Sequence, residues 1–372
     1  MMKRLKALFA NTAFNIMLIF VLTGIVFWLT IRGQSDQIFT MLRTADLRWI
    51  LIIILLTILE RIMLGFKLMT ECRQSYPKYT LSQGVVNAYV AGLFNNITPS
   101  ASGGQFMQVL TFRRQGIPVT SSIGVLWLDF IVYQTTMILF VLVLILLKFN
   151  YFYTNYSQFF LIVIFGFIVS SAVIVFLWAV VKSPKLYTWI TTKGIDIGCR
   201  LHLIKDKQKT LDNVNQQLER FSKEVVVLRT HKKMVLICAV EDLLRLLLYY
   251  SIPFFCAKAL HVEVGMDMFL DIVALSSFVT MVNAFMPMPG SSGGTEATFV
   301  LMFSTIFSRV DASSIMILWR VMTFYLTLLF GSIVYAYSKM QKAVVFDDEV
   351  LARTYSDKAL QEYEQEFEKE MQ

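Results

Sequence analysis

Six apolar runs, each about 18 residues or longer, divide the chain, and each is long enough to cross a bilayer as a helix. The runs are residues 11–30, 47–64, 121–147, 159–181, 234–260 and 313–338. Hydrophobic residues make up 56% of the chain and charged residues only 16%, which is not the balance of a soluble domain. Because backbone polar groups must be paired within the chain inside hydrocarbon, this pattern predicts an all-α polytopic membrane protein.

A polar stretch at residues 95–108, broken by glycine and proline, interrupts the apolar pattern. It follows the apolar segment 85–97, which at about 20 Å of helix is short for a full crossing. Ser102 and Gln105 have the spacing of a capping box that would open a second helix, which Gly116 would end. Irregular backbone at membrane depth is tolerated only where protein or a wet cavity surrounds it. We therefore expect a re-entrant hairpin with a site at its tip.

A second break at residues 287–296 follows the same plan of proline, then serine and glycine, then a polar residue opening a helix. The apolar segments 267–286 and 295–307 flank it. Paired interruptions in the two halves of a membrane chain point to a transporter binding site at a repeat interface. The two hairpins would open from opposite sides, as in an inverted repeat. Two short tilted spans in place of each hairpin remain the alternative, giving eight to ten hydrophobic segments.

The two breaks supply side chains suited to an anionic headgroup. A helix that begins at membrane depth offers backbone N–H groups and a positive dipole end, and glycine lets a ligand approach closely. Arg320, in the last apolar run, would be the cationic partner. The predicted substrate-binding residues are Asn95, Asn96, Thr98, Pro99, Ser102, Gly103, Gly104, Gln105, Gln108, Pro289, Gly290, Gly293, Gly294, Glu296 and Arg320. The alternative is that these glycines and prolines only kink and pack helices.

Glu296 lies in the first turn after the second break, where a carboxylate compensates the helix dipole. The other interpretation is functional, because an ionisable residue at membrane depth is rare without a role. In that case Glu296 would pair with Arg320 or act as a proton-coupled gate.

Further charged residues fall inside the apolar runs, and Asp129, Glu241, Asp242 and Arg245 are candidates for a gate or polar cluster. Glu241 and Arg245 are four residues apart, so one alternative is a self-satisfied pair on one helix. The other is a cluster facing a cavity, with Asp242 available for a further role.

The end of the second run carries Glu60 and Arg61, which we expect to extend toward the membrane surface. Lys67 follows, and with Arg73 and Lys78 it is expected to mark an inner loop.

The charge distribution predicts the topology. The chain has a net charge of +8, but its basic residues lie mostly between apolar runs, which indicates a cytoplasmic membrane face rather than nucleic acid. Residues 1–338 would form the membrane domain. Within it, residues 182–233 hold twelve Lys and Arg against five acidic residues and are expected to form an amphipathic cytoplasmic segment on anionic lipid or on a partner protein. An acidic cytoplasmic tail, 339–372, would follow.

Several function classes are excluded by absent motifs. The four cysteines and three histidines show no metal-ligand spacing, so we expect neither a metal nor another cofactor. Residues 290–294 match a serine-hydrolase pattern but lack the preceding strand and a convincing His and Asp partner. No phosphate-binding loop of the ATPase type is present in the sequence.

Three ordered motifs resemble the lysylphosphatidylglycerol synthase transmembrane family, the flippase-like domain of multiple peptide resistance factors and its shorter stand-alone relatives. They are residues 95–108 with the following 115–117, residues 287–296, and residues 319–325. The resemblance covers about residues 9–337. It implies a multi-pass protein of the bacterial plasma membrane with both termini in the cytoplasm.

The same resemblance implies translocation of a lipid with a modified headgroup between leaflets, with effects on surface charge and resistance to cationic peptides. Many members carry an acidic residue and an arginine where this chain has Gln105 and Gln108, so both an aminoacylated lipid, such as lysyl-phosphatidylglycerol, and a glycosylated one are reasonable cargoes. A cytoplasmic lipid synthase would be a partner. The alternatives are a membrane component of phosphatidylglycerol lysyltransferase and a secondary transporter of a small anionic solute. Because only a short polar tail follows Ser338, we expect no transferase domain and no enzymatic activity of the chain alone.

Overall fold

A computed structural model describes residues 35–98, 103–182, 193, 231–283 and 291–340 of the chain. These residues form α-helices joined by short connections, with no β-strand in the described ranges, which confirms the all-α prediction. The α-helices are α1 Ser35–Arg43, α2 Leu47–Cys72, α3 Leu81–Ile97, α4 Gly103–Arg114, α5 Val119–Lys182, α6 Lys232–Ala259, α7 Phe269–Asn283, α8 Gly294–Phe303, α9 Arg309–Arg320 and α10 Leu326–Met340. A short 3₁₀ turn, Met266–Met268, precedes α7, and a π-helical turn, Val321–Tyr325, joins α9 to α10.

Three stretches of helix in the described part of the chain are long and apolar enough to cross a membrane. They are Leu47–Cys72, Ser121–Lys148 and Arg309–Met340. Each corresponds to an apolar run predicted from the sequence, which supports the membrane assignment. Helix α6 is also long, at 28 residues, but carries Glu241, Asp242 and Arg245 in its interior.

Helices α2 and α6 form the centre of the fold and pack along each other. Helix α3 packs on α2 and is covered by α4 and α10, while α7 packs between α5, α6 and α8. The largest apolar core lies among α5 to α9 and includes Tyr250, Phe278 and Phe303. Both predicted hairpins are present as packed helix pairs, α3 with α4 and α7 with α8.

The ends of the first hairpin follow the expected local chemistry. Thr80 caps α3, since its hydroxyl accepts a hydrogen bond from the backbone N–H of Gln83. Gly116 follows α4 with a φ of 91°, the left-handed conformation that ends many helices. The connection before α3 is tied to the end of α4, because the Tyr79 hydroxyl donates to Oε1 of Gln115 at 2.9 Å.

One boundary predicted from the sequence is wrong. Residues 148–158 were expected to be an outer loop between two spans, but helical hydrogen bonding continues through them within α5, Val119–Lys182. The segment contains neither proline nor glycine, so nothing in its backbone chemistry ends the helix. Its tyrosines, asparagines and serine lower the hydropathy without breaking helical geometry.

Several predicted segments lie outside the described residues. They are the first apolar run, 11–30, almost all of the basic segment 182–233, and nearly the whole of the acidic tail. The inverted relation between the two halves stays a prediction.

Backbone contact between α2 and α3 depends on two glycines. A Cβ atom at Gly84 would lie 2.1 Å from the carbonyl oxygen of Gly65. We expect Gly84→Ala to lower the free energy of unfolding by about 1–3 kcal/mol, because the helices must separate. The gain in helix propensity, about 1 kcal/mol, opposes this loss without cancelling it. Unfolding in mixed micelles measures the change; Ser82→Ala, at an exposed site on α3, is the control, and equal stabilities would contradict the close packing.

Candidate functional site

The second break is built around an ion pair between Glu296 and Arg320. Glu296 lies in the first turn of α8, and its Oε1 accepts a hydrogen bond from Nε of Arg320 at 2.8 Å. Its other oxygen, Oε2, accepts from the backbone N–H of Gly293 at 2.6 Å. Arg320 Nη2 also donates to the hydroxyl of Ser292 at 3.3 Å. One carboxylate therefore caps the helix and neutralises the arginine, while a role of Glu296 as a proton-coupled gate stays a prediction.

The backbone at this break has the conformation that glycine favours. Gly293 has a φ of 88°, and Gly294 begins α8 immediately after it. The left-handed conformation turns the chain so that the Gly293 N–H reaches the Glu296 carboxylate. Pro289 and Gly290 of the same motif lie outside the described residues.

Aromatic rings enclose the ion pair. The guanidinium of Arg320 lies over the ring of Phe324, 4.0 Å from its centroid. Trp319 stacks on Phe299 with ring centroids 4.9 Å apart. Arg320 is the last residue of α9, and the π-helical turn that follows it places Phe324 under the guanidinium. The pair is buried, with side-chain exposures of 9% for Arg320 and 2% for Glu296.

The first break is closed by contacts within its own hairpin. The hydroxyl of Thr98 accepts from the N–H of Gly103 at 2.8 Å and donates to the carbonyl of Phe94 at 2.6 Å. A Cβ atom at Gly104 would lie 2.0 Å from Oδ1 of Asn95. Because Gly103 and Gly104 have no side chains, α3 and α4 can pack closely at this point. The expectation that the Gly103 N–H awaits a ligand is wrong for the described conformation, because Thr98 already binds it.

The amides of the first break differ in exposure. Gln105 is exposed at the start of α4, whereas Gln108 is buried and its carbonyl accepts from the Asn87 side chain at 3.4 Å. Asn95 and Asn96 are half-buried, and Oδ1 of Asn95 has no hydrogen-bond partner. Pro99 and Ser102 lie outside the described residues.

The first hairpin reaches the surroundings of the Glu296–Arg320 ion pair through one apolar contact. Leu93 and Ile97 at the end of α3 form one buried apolar cluster with Phe324. Since Phe324 also lies under the Arg320 guanidinium, a single side chain joins the first hairpin to the ion pair of the second. That the two breaks form one shared binding site stays a prediction.

An apolar cleft adjoins the first break. It has a volume of about 520 Å³, within the usual range of ligand pockets. Helices α4 and α5 form its walls, with Gln105 at one position of the lining. The lining residues are Gln105, Phe106, Val109, Val119, Ile123, Leu126, Trp127 and Phe130.

A separate polar cluster lies between α2, α5 and α6, with Lys67 at its centre. Lys67 is buried, and its Nζ contacts Oδ2 of Asp242 at 2.5 Å and Oδ1 of Asp129 at 2.8 Å. The expectation that Lys67 belongs to an inner loop is therefore wrong. Helix α2 continues to Cys72, and carboxylates on two other helices stabilise the buried ammonium group.

Arg245 extends this cluster along α6 toward α2. Its Nη2 donates to Oδ1 of Asp242 at 3.1 Å, and its Nη1 lies 3.6 Å from Oε1 of Glu60. The predicted pair of Glu241 with Arg245 is not formed; Glu241 accepts instead from the hydroxyl of Thr70 at 3.1 Å. Arg245 is instead paired with Asp242, three residues earlier on α6, and with Glu60 of α2.

Glu60 is buried and contacts Arg61 at 3.0 Å, so the expectation that it extends to the membrane surface is also wrong. The polar cluster was anticipated in part, through Asp129, Glu241, Asp242 and Arg245. Lys67 and Glu71 were missed. The signal available in the sequence was their i,i+4 spacing within one continuous helix.

These features define an all-α membrane protein with two helix pairs broken by polar motifs and a buried ion pair at the second break. The chain belongs to the family described as the lysylphosphatidylglycerol synthase TM region, which it matches over residues 15–331. It is also similar to a UPF0104 membrane protein of Archaeoglobus fulgidus, with 21% identity over 349 residues, covering 89% of this chain and 98% of that protein. The family resemblance drawn from the three motifs is thereby confirmed.

Proposed function

We propose that this protein moves a lipid with a modified headgroup between the leaflets of the membrane. The observation that carries the proposal is the apolar cleft between α4 and α5, which has an amide, Gln105, beside the first break. An acyl chain would occupy the cleft while the headgroup contacts the break. The cargo class is an anionic, aminoacylated or glycosylated lipid, such as lysyl-phosphatidylglycerol, and the setting is the plasma membrane.

The cleft is suited to a hydrocarbon chain rather than to a soluble metabolite. Its lining is apolar apart from Gln105, and it offers no charged side chain among the residues that form it. Phe106 is 66% exposed and Ile123 48% exposed, so the cleft is bordered by side chains that would face lipid. A lipid would enter sideways without leaving hydrocarbon.

Two amide side chains, Gln105 and Asn95, are the groups that would contact the lipid headgroup. Gln105 is exposed, and Asn95 Oδ1 is a buried acceptor without a partner next to Gly104. Arg320 is already compensated by Glu296, so its role here is to support the hairpin junction rather than to supply an unpaired charge. Amides hydrogen-bond hydroxyl, amine and phosphate groups, which suits an aminoacylated or glycosylated headgroup. Family membership gives independent support for a lipid substrate.

Filling the cleft tests the proposal. Ile123→Trp introduces a large ring into the lining, and we expect it to lower the rate of lipid movement at least about tenfold, which corresponds to about 1.4 kcal/mol of added barrier. Leu139→Trp is the matched control, because Leu139 is on the same helix, is 56% exposed and does not line the cleft. The measurement is inter-leaflet transfer of labelled lipid in proteoliposomes. Equal rates in the two variants would remove the cleft from the transport path.

A further inference from the structure

The polar cluster around Lys67 carries more acid than base. In the described part of the chain it contains five carboxyl groups and three cationic groups, linked by ion pairs and hydrogen bonds. The acids are Glu60, Glu71, Asp129, Glu241 and Asp242, and the bases are Arg61, Lys67 and Arg245. Asp242 lies ten residues into α6, about 15 Å along the helix axis. An uncompensated negative charge at such a position is costly, so the cluster requires further positive charge.

Glu71 is the carboxyl group least supported by its surroundings. Its side chain is fully buried, and neither of its oxygens has a hydrogen-bond partner among the residues that the structure describes. Its nearest cation, Lys67 Nζ, lies 3.9 Å away and makes shorter contacts with Asp129 and Asp242. A buried carboxylate without donors is strongly destabilising, whereas a neutral carboxylic acid is tolerated.

A proton fits the missing charge better than a metal ion. Among the residues that the structure describes, no three His, Cys, Asp or Glu side chains converge in a way that would hold a metal. The centre of the cluster is occupied by the Lys67 ammonium group, which would repel a metal cation. A proton on Glu71 removes one of the two excess negative charges without needing space.

We propose that Glu71 binds and releases a proton in each transport cycle, exchanging with Lys67 as the partner that neutralises it. This inference rests on the proposed transport function. In the described arrangement Glu71 holds the proton and Lys67 binds Asp129 and Asp242. When Glu71 gives up the proton, its carboxylate attracts Lys67 away from those two acids; Arg245 then compensates Asp242, and Asp129 takes up the proton and passes it toward solvent.

This exchange would move helices because its partners are on different ones. Lys67 and Glu71 belong to α2, Asp129 to α5, and Asp242 to α6. Asp129, with a side-chain exposure of 20%, is the most open of these acids and is the entry point for the proton. Transfer of the ammonium group between acids changes which helix α2 is held against, and a discrete change of partners of this kind is what couples a binding event to a conformational switch.

The other ionisable groups around Glu71 set the conditions of the exchange. The other ionisable groups that act on Glu71 electrostatically are Glu241, Asp242 and Cys238 of α6 and Asp129 of α5. Tyr133 of α5 lies under the Arg245 guanidinium at 4.7 Å. Helix α3 contributes Tyr89, which faces Glu60 and Arg61 farther along α2.

One aromatic contact joins the helix of Asp242 and Arg245 to the helix of Arg320. Tyr249 of α6 packs edge-on against Trp319 of α9, the residue before Arg320, with ring centroids 6.4 Å apart. The Arg61 guanidinium also lies against Gly92 of α3, beside Thr327 of α10. These contacts of α2 and α6 lie on the side of the cluster that faces Arg320, where a shift of either helix would act in the proposed exchange.

The experiment has two independent readouts on purified protein. Infrared spectroscopy measures the stretching band of a protonated carboxyl group; we expect a band in the wild type that is lost at alkaline pH and is absent in Glu71→Gln. Glu263→Gln, which alters an exposed glutamate, is the control and should keep the band. In proteoliposomes carrying labelled lipid, an imposed pH gradient should shift the wild-type distribution between leaflets by up to about tenfold per pH unit for one proton per lipid.

The outcomes separate the two proposals. The proton proposal is overturned if the wild-type lipid distribution does not respond to the pH gradient. It is also overturned if the infrared band of the protonated carboxyl group is unchanged in Glu71→Gln. A band that titrates and depends on Glu71 in a protein that moves no lipid supports the proton site and overturns the lipid cargo. A Glu71→Gln protein that still moves lipid but no longer responds to the gradient supports both.

Discussion

Replacing Arg320 with alanine is expected to lower the free energy of unfolding by about 3–5 kcal/mol, because it leaves the Glu296 carboxylate buried without its cation. Glu296 is 2% exposed and would keep only its contact with the Gly293 N–H. Removal of the guanidinium also takes away the ring contact with Phe324, which joins the two hairpins. We therefore expect loss of lipid movement together with loss of stability. Unfolding in mixed micelles and transfer in proteoliposomes measure the two effects.

A double variant distinguishes loss of the pair from loss of a ligand-binding charge. Arg320→Gln with Glu296→Gln removes both charges, and we expect it to recover most of the stability lost in Arg320→Ala, since a neutral pair has no buried charge to compensate. Arg309→Ala, at the exposed start of the same helix, is the control. Wild-type stability in Arg320→Ala would mean that Glu296 finds another partner and that the described pair is dispensable.

The second large effect is expected at Lys67. Lys67→Met keeps the length of the side chain but removes the ammonium group that holds Asp129 and Asp242 together. The cluster would retain its five carboxyl groups with two cations, so we expect a loss of about 3–5 kcal/mol in the free energy of unfolding. Folded protein should be recovered at lower pH, where the acids become neutral. A denaturation series over pH measures this dependence.

Matched variants give the control for Lys67. Lys233→Met removes an exposed lysine at the start of α6 and should leave stability unchanged. Adding Asp242→Asn to Lys67→Met removes one of the excess acids, and we expect part of the stability to return. If Lys67→Met and Lys233→Met unfolded alike, the cluster around Lys67 would have no energetic importance.

The sequence predicted the features that depend on neighbours along the chain. Gly116 ends α4, and helices α4 and α8 begin within the predicted breaks at residues 95–108 and 287–296, because turn and capping preferences are local. The contact of Glu296 with the N-terminus of its helix was also predictable, since a glutamate in a first helical turn has few other partners. The three apolar helices with enough length to cross a membrane followed from hydropathy alone.

Features that depend on distant partners were not predictable in this way. Lys67 was placed in a loop because a lysine lowers hydropathy, yet its partners Asp129 and Asp242 are 62 and 175 residues away. Glu241 and Arg245 have ideal spacing for a pair, but Glu241 contacts Thr70 of α2, and Arg245 contacts Asp242 of its own helix and Glu60 of α2. Residues 148–158 stayed helical because polarity alone does not end a helix. The polar cluster is held by charge interactions between different helices. A single sequence does not show which helices are neighbours.

The most direct test of the account is inter-leaflet movement in proteoliposomes that contain the wild-type protein and a panel of labelled phosphatidylglycerol, lysyl-phosphatidylglycerol and glycosyl-diacylglycerol. We predict selective transfer of one headgroup class, which Ile123→Trp slows and Leu139→Trp leaves unchanged. Transfer of none of the three by correctly oriented, folded protein would contradict lipid translocation. That result would favour a membrane component of a lipid synthase or a carrier of an anionic solute.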